Sequence, residues 1–169
     1  QYIIEMIYGV EDRLGERANM FRQDAFARLR ELEMEASRGK GVYPYTREIM
    51  QKLREKGMKI GIITRSHVDV LTLVFPDIQD FVDTIVTRDE VREVKPHPNH
   101  GLEVLRLLDI DPGEAILVGD HPTDVLAGKA VGMLTAGVLS GRTNREKFEE
   151  VEATYILSDV RGVLDALGI

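Results

Sequence analysis

The 169-residue chain reads as an α/β protein: a Rossmann-like, three-layer, doubly wound parallel sheet with a small helical segment at its N-terminal end. Three observations predict that class. Short β-branched and apolar runs alternate with stretches of helical periodicity. Helices of about a dozen residues separate successive runs, as right-handed crossovers between parallel strands require. The run "AILVG" at 115–119 is apolar throughout and closed by glycine, the pattern of a strand covered on both faces.

In order along the chain, Gly9 to Ser37 is charged and helical in pattern, with Leu14, Ala18, Phe21, Ala25, Leu29 and Leu32 forming one apolar stripe. Gly39, Gly41 and Pro44 punctuate the loop "SRGKGVYPYT", which divides a helical segment, residues 1–40, from an α/β core, residues 41–169. Thr46 is placed to cap a helix running to about Glu55 and closed by Gly57. Then come the strand "MKIGIIT", the helix "HVDVLTLVF" stopped by Pro76, the strand "DTIVT" and the helix "NHGLEVLRLL". The strand "AILVG", the helix "TDVLAGKAVG" and the strands "LTAGVL" and "TYIL" complete the series. No internal repeat or low-complexity segment interrupts it.

A formal charge of −7 argues against a general nucleic-acid binder, which needs a clustered excess of Lys and Arg. The absence of cysteine excludes disulfides and thiolate metal sites and fits a reducing compartment. The apolar opening "YIIEMIYG" is too short to span a bilayer and carries Glu5, so the expectation is a soluble cytoplasmic protein with no membrane partner.

Three places hold residues suited to chemistry, each at a strand end or in a loop beside one, where ligands of open α/β sheets gather. The first is "IGIITRS", with Thr64, Arg65 and Ser66; the second is "VREVKPHPN", with Lys95; the third is "VGDHPTD", with Asp120 and Asp124. Each has an ordinary explanation: a β-forming or capping Thr, a solvated loop Lys, an acid answering the dipole at a helix N-terminus. Together they meet the needs of phosphoryl transfer. A hydroxyl and backbone N–H groups can bind phosphoryl oxygens, an ammonium can neutralise charge, and paired carboxylates are hard donors for Mg²⁺. The four histidines, His67, His97, His100 and His121, lack the paired helical spacing of a transition-metal site, and most of them read as loop and helix-cap residues.

On these segments the chain resembles the haloacid dehalogenase superfamily, and within it the phosphoglycolate-phosphatase-like hydrolases. "GVYPYTREIMQKLREKGMKIGIITRS" is similar to that family's second motif region, "EVKPHPNHGLEVLRLL" to the third and "AILVGDHPTDVLAGKAVGM" to the fourth, over roughly Gly41 to the end. The resemblance implies that Thr64 binds phosphate, Lys95 neutralises charge, Asp120 ligates the metal and Asp124 supports it. It implies a Mg²⁺-dependent phosphatase acting on a small phosphorylated metabolite through an aspartyl-phosphate; a homodimer stays open.

The family's opening Asp-x-Asp-Gly-Thr motif, which carries the nucleophile and the acid/base, has no counterpart here. The one Asp-x-Asp, Asp109 and Asp111, is followed by Pro112 and Gly113 and reads as a turn. In the family the motif's strand lies mid-sheet, so the strands ending at Thr64 and Gly119 are expected to lose a shared neighbour. The expectation is that residues 1–169 are the C-terminal portion of a longer polypeptide, whose first ~20 residues would carry one strand and a loop. The helical segment falls where the family inserts a cap, and Arg17, Arg22, Arg28 or Arg30 could reach a second anionic group; the plainer reading pairs them with Glu16, Glu31 or Glu33. Alternatives are a non-catalytic phosphate- or metal-binding relative, a phospho-acceptor signalling domain and a dehalogenase, which needs no magnesium.

Overall fold

The computed structural model describes residues 3–169. Its N-terminal stretch is not one helix but two, α1 (Ile3–Glu11) and α2 (Ala18–Ser37), packed against each other. Gly15 explains the break: it sits at φ 53, a left-handed conformation that turns the chain back at low cost only for glycine. The stripe foreseen on this segment holds in part. Phe21, Ala25 and Leu29 pack with Ile4 and Ile7 of α1 and with Val94, whereas Leu32 faces solvent.

The remaining helices are α3 (Thr46–Glu55), α4 (Val68–Val74), α5 (Pro98–Leu108), α6 (Pro122–Val131), α7 (Arg145–Glu150) and α8 (Gly162–Leu167). The last two are additions to the series read from the sequence: α7 lies between the strands of "LTAGVL" and "TYIL", and α8 follows the latter. Thr46 is the first residue of α3 and not its cap; Tyr45 holds that position without a side-chain bond. Asp109 adopts a left-handed conformation (φ 54) at the end of α5, so the isolated Asp-x-Asp is the turn its Pro-Gly sequel suggested.

Five strands, all parallel, form two sheets among the described residues. β1 (Gly61–Ile63) pairs with β2 (Thr84–Val86), and β3 (Ile116–Gly119), β4 (Leu134–Val138) and β5 (Tyr155–Leu157) follow in the order β3-β4-β5. The strands are shorter than their apolar runs. Helix α5 holds the sheets together: its Val104 and Leu105 pack in one cluster with Val86 of β2 and Leu117 of β3.

No ladder joins β1 to β3. Between them runs a slot with a cavity on each face, about 420 Å³ on one side and 430 Å³ on the other. Gly61, Ile62, Ile116 and Val118 line both cavities. These two strands therefore lack a common neighbour, and each turns an unpaired backbone edge towards apolar walls.

Candidate active site

Of the residues singled out from the sequence, Asp120 lines the cavity on one face of the slot and Lys95 the cavity on the other, at one end of the strands. Lys95 defines that end. Its Nζ donates to the carbonyl of Ile63, at the C-terminal end of β1, at 2.9 Å, and pairs with Asp124 Oδ1, just past the end of β3, at 2.7 Å. One ammonium reaches both strand ends, so the two sheets point the same way. Both side chains are nearly buried, 12% exposed for Lys95 and 7% for Asp124, so the attraction is little screened.

Asp124 is held from its own helix as well. His121 is the N-cap of α6, and its backbone N–H donates to Asp124 Oδ2 at 3.1 Å. Asp124 is thus both the helix-terminal acid of the plainer reading and the partner of Lys95. Gly119 makes room for it: a Cβ at that position would fall 2.1 Å from Asp124 Oδ2. Gly119→Ala must displace the carboxylate and is expected to cost about 1–3 kcal/mol of stability by overpacking, read as a lower urea midpoint. Asp120, in contrast, is exposed and stands at the rim of the slot beside Ser140, with its carboxylate close against Gly141.

Thr64 follows β1. Its N–H donates to Val86 O at 3.0 Å, and its Oγ1 accepts the Ser66 N–H at 3.1 Å, so the hydroxyl shapes the turn after β1 and takes up the Ser66 amide. The Arg65 guanidinium reaches Glu5 of α1 at 3.2 Å, and its carbonyl accepts from Arg88 Nη1 at 3.1 Å. Arg88 is a residue the sequence reading passed over. It is buried, chelates Glu33 of α2 at 2.7 and 2.8 Å, and lies 5.6 Å from the Phe26 ring centroid. Arg30 also pairs with Asp69 of α4, so three ion pairs join the helical pair to the loops around Thr64. Arg22 and Arg28 pair with Glu11 and Glu31.

Three histidines behave as read. His67, His97 and His121 are N-caps of α4, α5 and α6, each accepting a backbone N–H two residues on. His100 is neither loop nor cap, because it lies on the inner face of α5 beside Gly101, Val104 and Leu105 and is fully buried. Its place in that stripe was the available signal. Burial pushes its pKa below the ordinary value. Between the two pKa values the unfolded chain holds a proton that the folded chain refuses, so stability falls as pH drops below about 6.5. Urea midpoints between pH 7 and pH 5 are expected to fall less in His100→Gln than in the parent, and an equal fall in both would show that His100 is not the group responsible.

No cluster of three or more His, Asp or Glu side chains able to hold a metal occurs among the described residues. Asp120 is a hard oxygen donor exposed at the rim, and Asp124, whose two oxygens already meet Lys95 and the His121 N–H, supports it four residues on. That set fits Mg²⁺, which takes one or two carboxylates and completes its shell with water and phosphate.

The fold and this cluster define an open α/β protein whose polar groups converge at the C-terminal ends of parallel strands, across an unfilled strand position. The chain belongs to the haloacid dehalogenase-like hydrolase family, whose model matches residues 7–138. It is 34% identical over 129 residues to the pyrophosphatase PpaX of Anoxybacillus flavithermus, covering 75% of this chain and 60% of that protein's length. A hydrolase from Pseudomonas syringae shares 25% identity at a TM-score of 0.69, over 90% of this chain and 68% of its own. A predicted phosphoglycolate phosphatase from Haemophilus somnus shares the fold, with a TM-score of 0.71 at 19% identity over 91% of this chain and 68% of its own. No helix among the described residues is long and apolar enough to cross a membrane.

Proposed function

We propose that this chain is the phosphate- and metal-holding part of a Mg²⁺-dependent phosphatase acting on a small phosphorylated metabolite. The observation that carries the reading is the Lys95 ammonium, fixed between Ile63 O and Asp124 at the mouth of the slot. A cation held nearly buried at the ends of two parallel strands is preorganised to bind the charge that builds up in phosphoryl transfer.

The nucleophile is a carboxylate on a further parallel strand seated between β1 and β3. Its oxygen forms a bond to phosphorus while the bond to the leaving oxygen breaks, a second acid protonates that oxygen, and water then cleaves the aspartyl-phosphate to release phosphate. The Thr64 hydroxyl, with the Arg65 amide, orients the phosphoryl oxygens, and Lys95 holds both the nucleophilic carboxylate and the phosphate. Asp120, supported by Asp124, would hold Mg²⁺, which supplies charge neutralisation at the phosphoryl group. Residues 1–40 act as a cap over the 41–169 core, tied to it through Glu5, Glu33 and Arg30. The setting is cytoplasmic.

The names of the relatives make pyrophosphate and 2-phosphoglycolate the first substrates to try, beside a generic aryl phosphate. Phosphate release with and without Mg²⁺, from this chain and from a version extended upstream by the strand, tests the reading. Mg²⁺-dependent release by the extended form alone is expected. Silence in both forms favours a phosphate-binding, non-catalytic relative.

A further inference from the structure

We propose that His100 is the positioning residue for Lys95: a neutral imidazole that ties the lysine's main chain to the end of β2 and thereby to Thr64. The Lys95 N–H donates to His100 Nδ1 at 3.2 Å, which makes Nδ1 an acceptor. The ring proton of the neutral form therefore sits on Nε2, which donates to Val86 O at 3.0 Å. The other lone pair of that same carbonyl takes the Thr64 N–H, also at 3.0 Å. Lys95 Nζ then returns to Ile63 O, one residue before Thr64.

The bonds form a closed circuit: Lys95 main chain, His100, Val86, the Thr64–Ile63 segment, and back to the Lys95 ammonium. It joins the phosphate-binding turn to the charge-neutralising lysine through a buried ring. Volume alone does not call for histidine in a stripe with Val104 and Leu105, where leucine would fill the space without two polar atoms to satisfy. What the imidazole adds is direction. It fixes the loop on which Lys95 stands, so that the ammonium, 12% exposed, reaches across the slot.

The significance for catalysis rests on the proposed phosphatase reading, but the geometric claim is tested without turnover. Limited acylation of the folded chain, followed by peptide mass mapping, reports how tightly each lysine amine is held. In His100→Leu, Lys95 is expected to label roughly threefold faster or more relative to the parent, as a locally loosened segment does, with the exposed Lys52 and Lys147 unchanged. In His100→Gln, whose amide oxygen and nitrogen can stand where the two ring nitrogens stood, Lys95 is expected to label near the parental rate. Parental labelling in a folded His100→Leu, or labelling in His100→Gln as fast as in the leucine variant, overturns the proposal. Should the leucine variant not fold, ¹⁵N chemical shifts of the parent's imidazole decide at pH 7. The Nε2–H tautomer supports the tie, and an Nδ1–H or protonated ring refutes it. Correct labelling and tautomer without any phosphate release from the strand-extended protein would leave the tie standing and count against the phosphatase reading alone.

Discussion

Lys95→Met is expected to lower the unfolding free energy by about 3 kcal/mol, the lower end of the range for removing one member of a buried pair. The cost arises mainly at Asp124, which is 7% exposed and, among the described residues, keeps the His121 N–H as its partner once the ammonium 2.7 Å away is gone. An anion without its counter-charge in a poorly solvated place costs more than the pair contributed. The effect is therefore non-additive. Combining Lys95→Met with Asp124→Asn is expected to cost less than the two single changes together, because the second removes the stranded charge. Urea unfolding of the four proteins at one pH closes the cycle, and strictly additive losses would show that the pair is not coupled.

Asp120→Ala is expected to behave in the opposite way. Asp120 is exposed at the rim, so its loss should change stability by no more than about 0.5 kcal/mol, as for surface positions generally. In the strand-extended protein the same change should lower Mg²⁺-dependent phosphate release on the order of 10²–10³-fold, the size seen when one preorganised charge-stabilising group is removed. The contrast tests the two proposed roles: Lys95 in the fold and the site together, and Asp120 in the site alone. Wild-type turnover in Asp120→Ala would remove it from the metal site.

Much of this was legible in the sequence because parallel strands at the centre of an α/β sheet are written as apolar runs with polar residues just past their ends. Thr64, Lys95, Asp120 and Asp124 stand out on that basis, and the fold brings Thr64, Lys95 and Asp124 into one bonded neighbourhood. Other features follow from long-range geometry that spacing does not encode. The pairing of Arg88 with Glu33 spans 55 residues, and the Glu5–Arg65 pair spans 60. His100 lies only five residues from Lys95, yet its ring has meaning only once β2 places the Val86 carbonyl against it. The break at Gly15 was hidden for a different reason, since the apolar stripe runs across it with little change in period.

The split between β1 and β3 ties the fold to the function. An apolar slot is flanked by two unpaired parallel edges, with an ammonium at its mouth, and the proposed reading seats there one more strand ending in a carboxylate. The most direct test is Mg²⁺-dependent phosphate release by the strand-extended protein carrying either Asp or Asn at the strand's C-terminal end, beside the 169-residue chain alone. The account predicts turnover, and an acid-stable phosphoryl label on the strand's carboxylate, only in the Asp form. Sustained turnover by the chain alone, or equal turnover in the Asp and Asn forms, would contradict it.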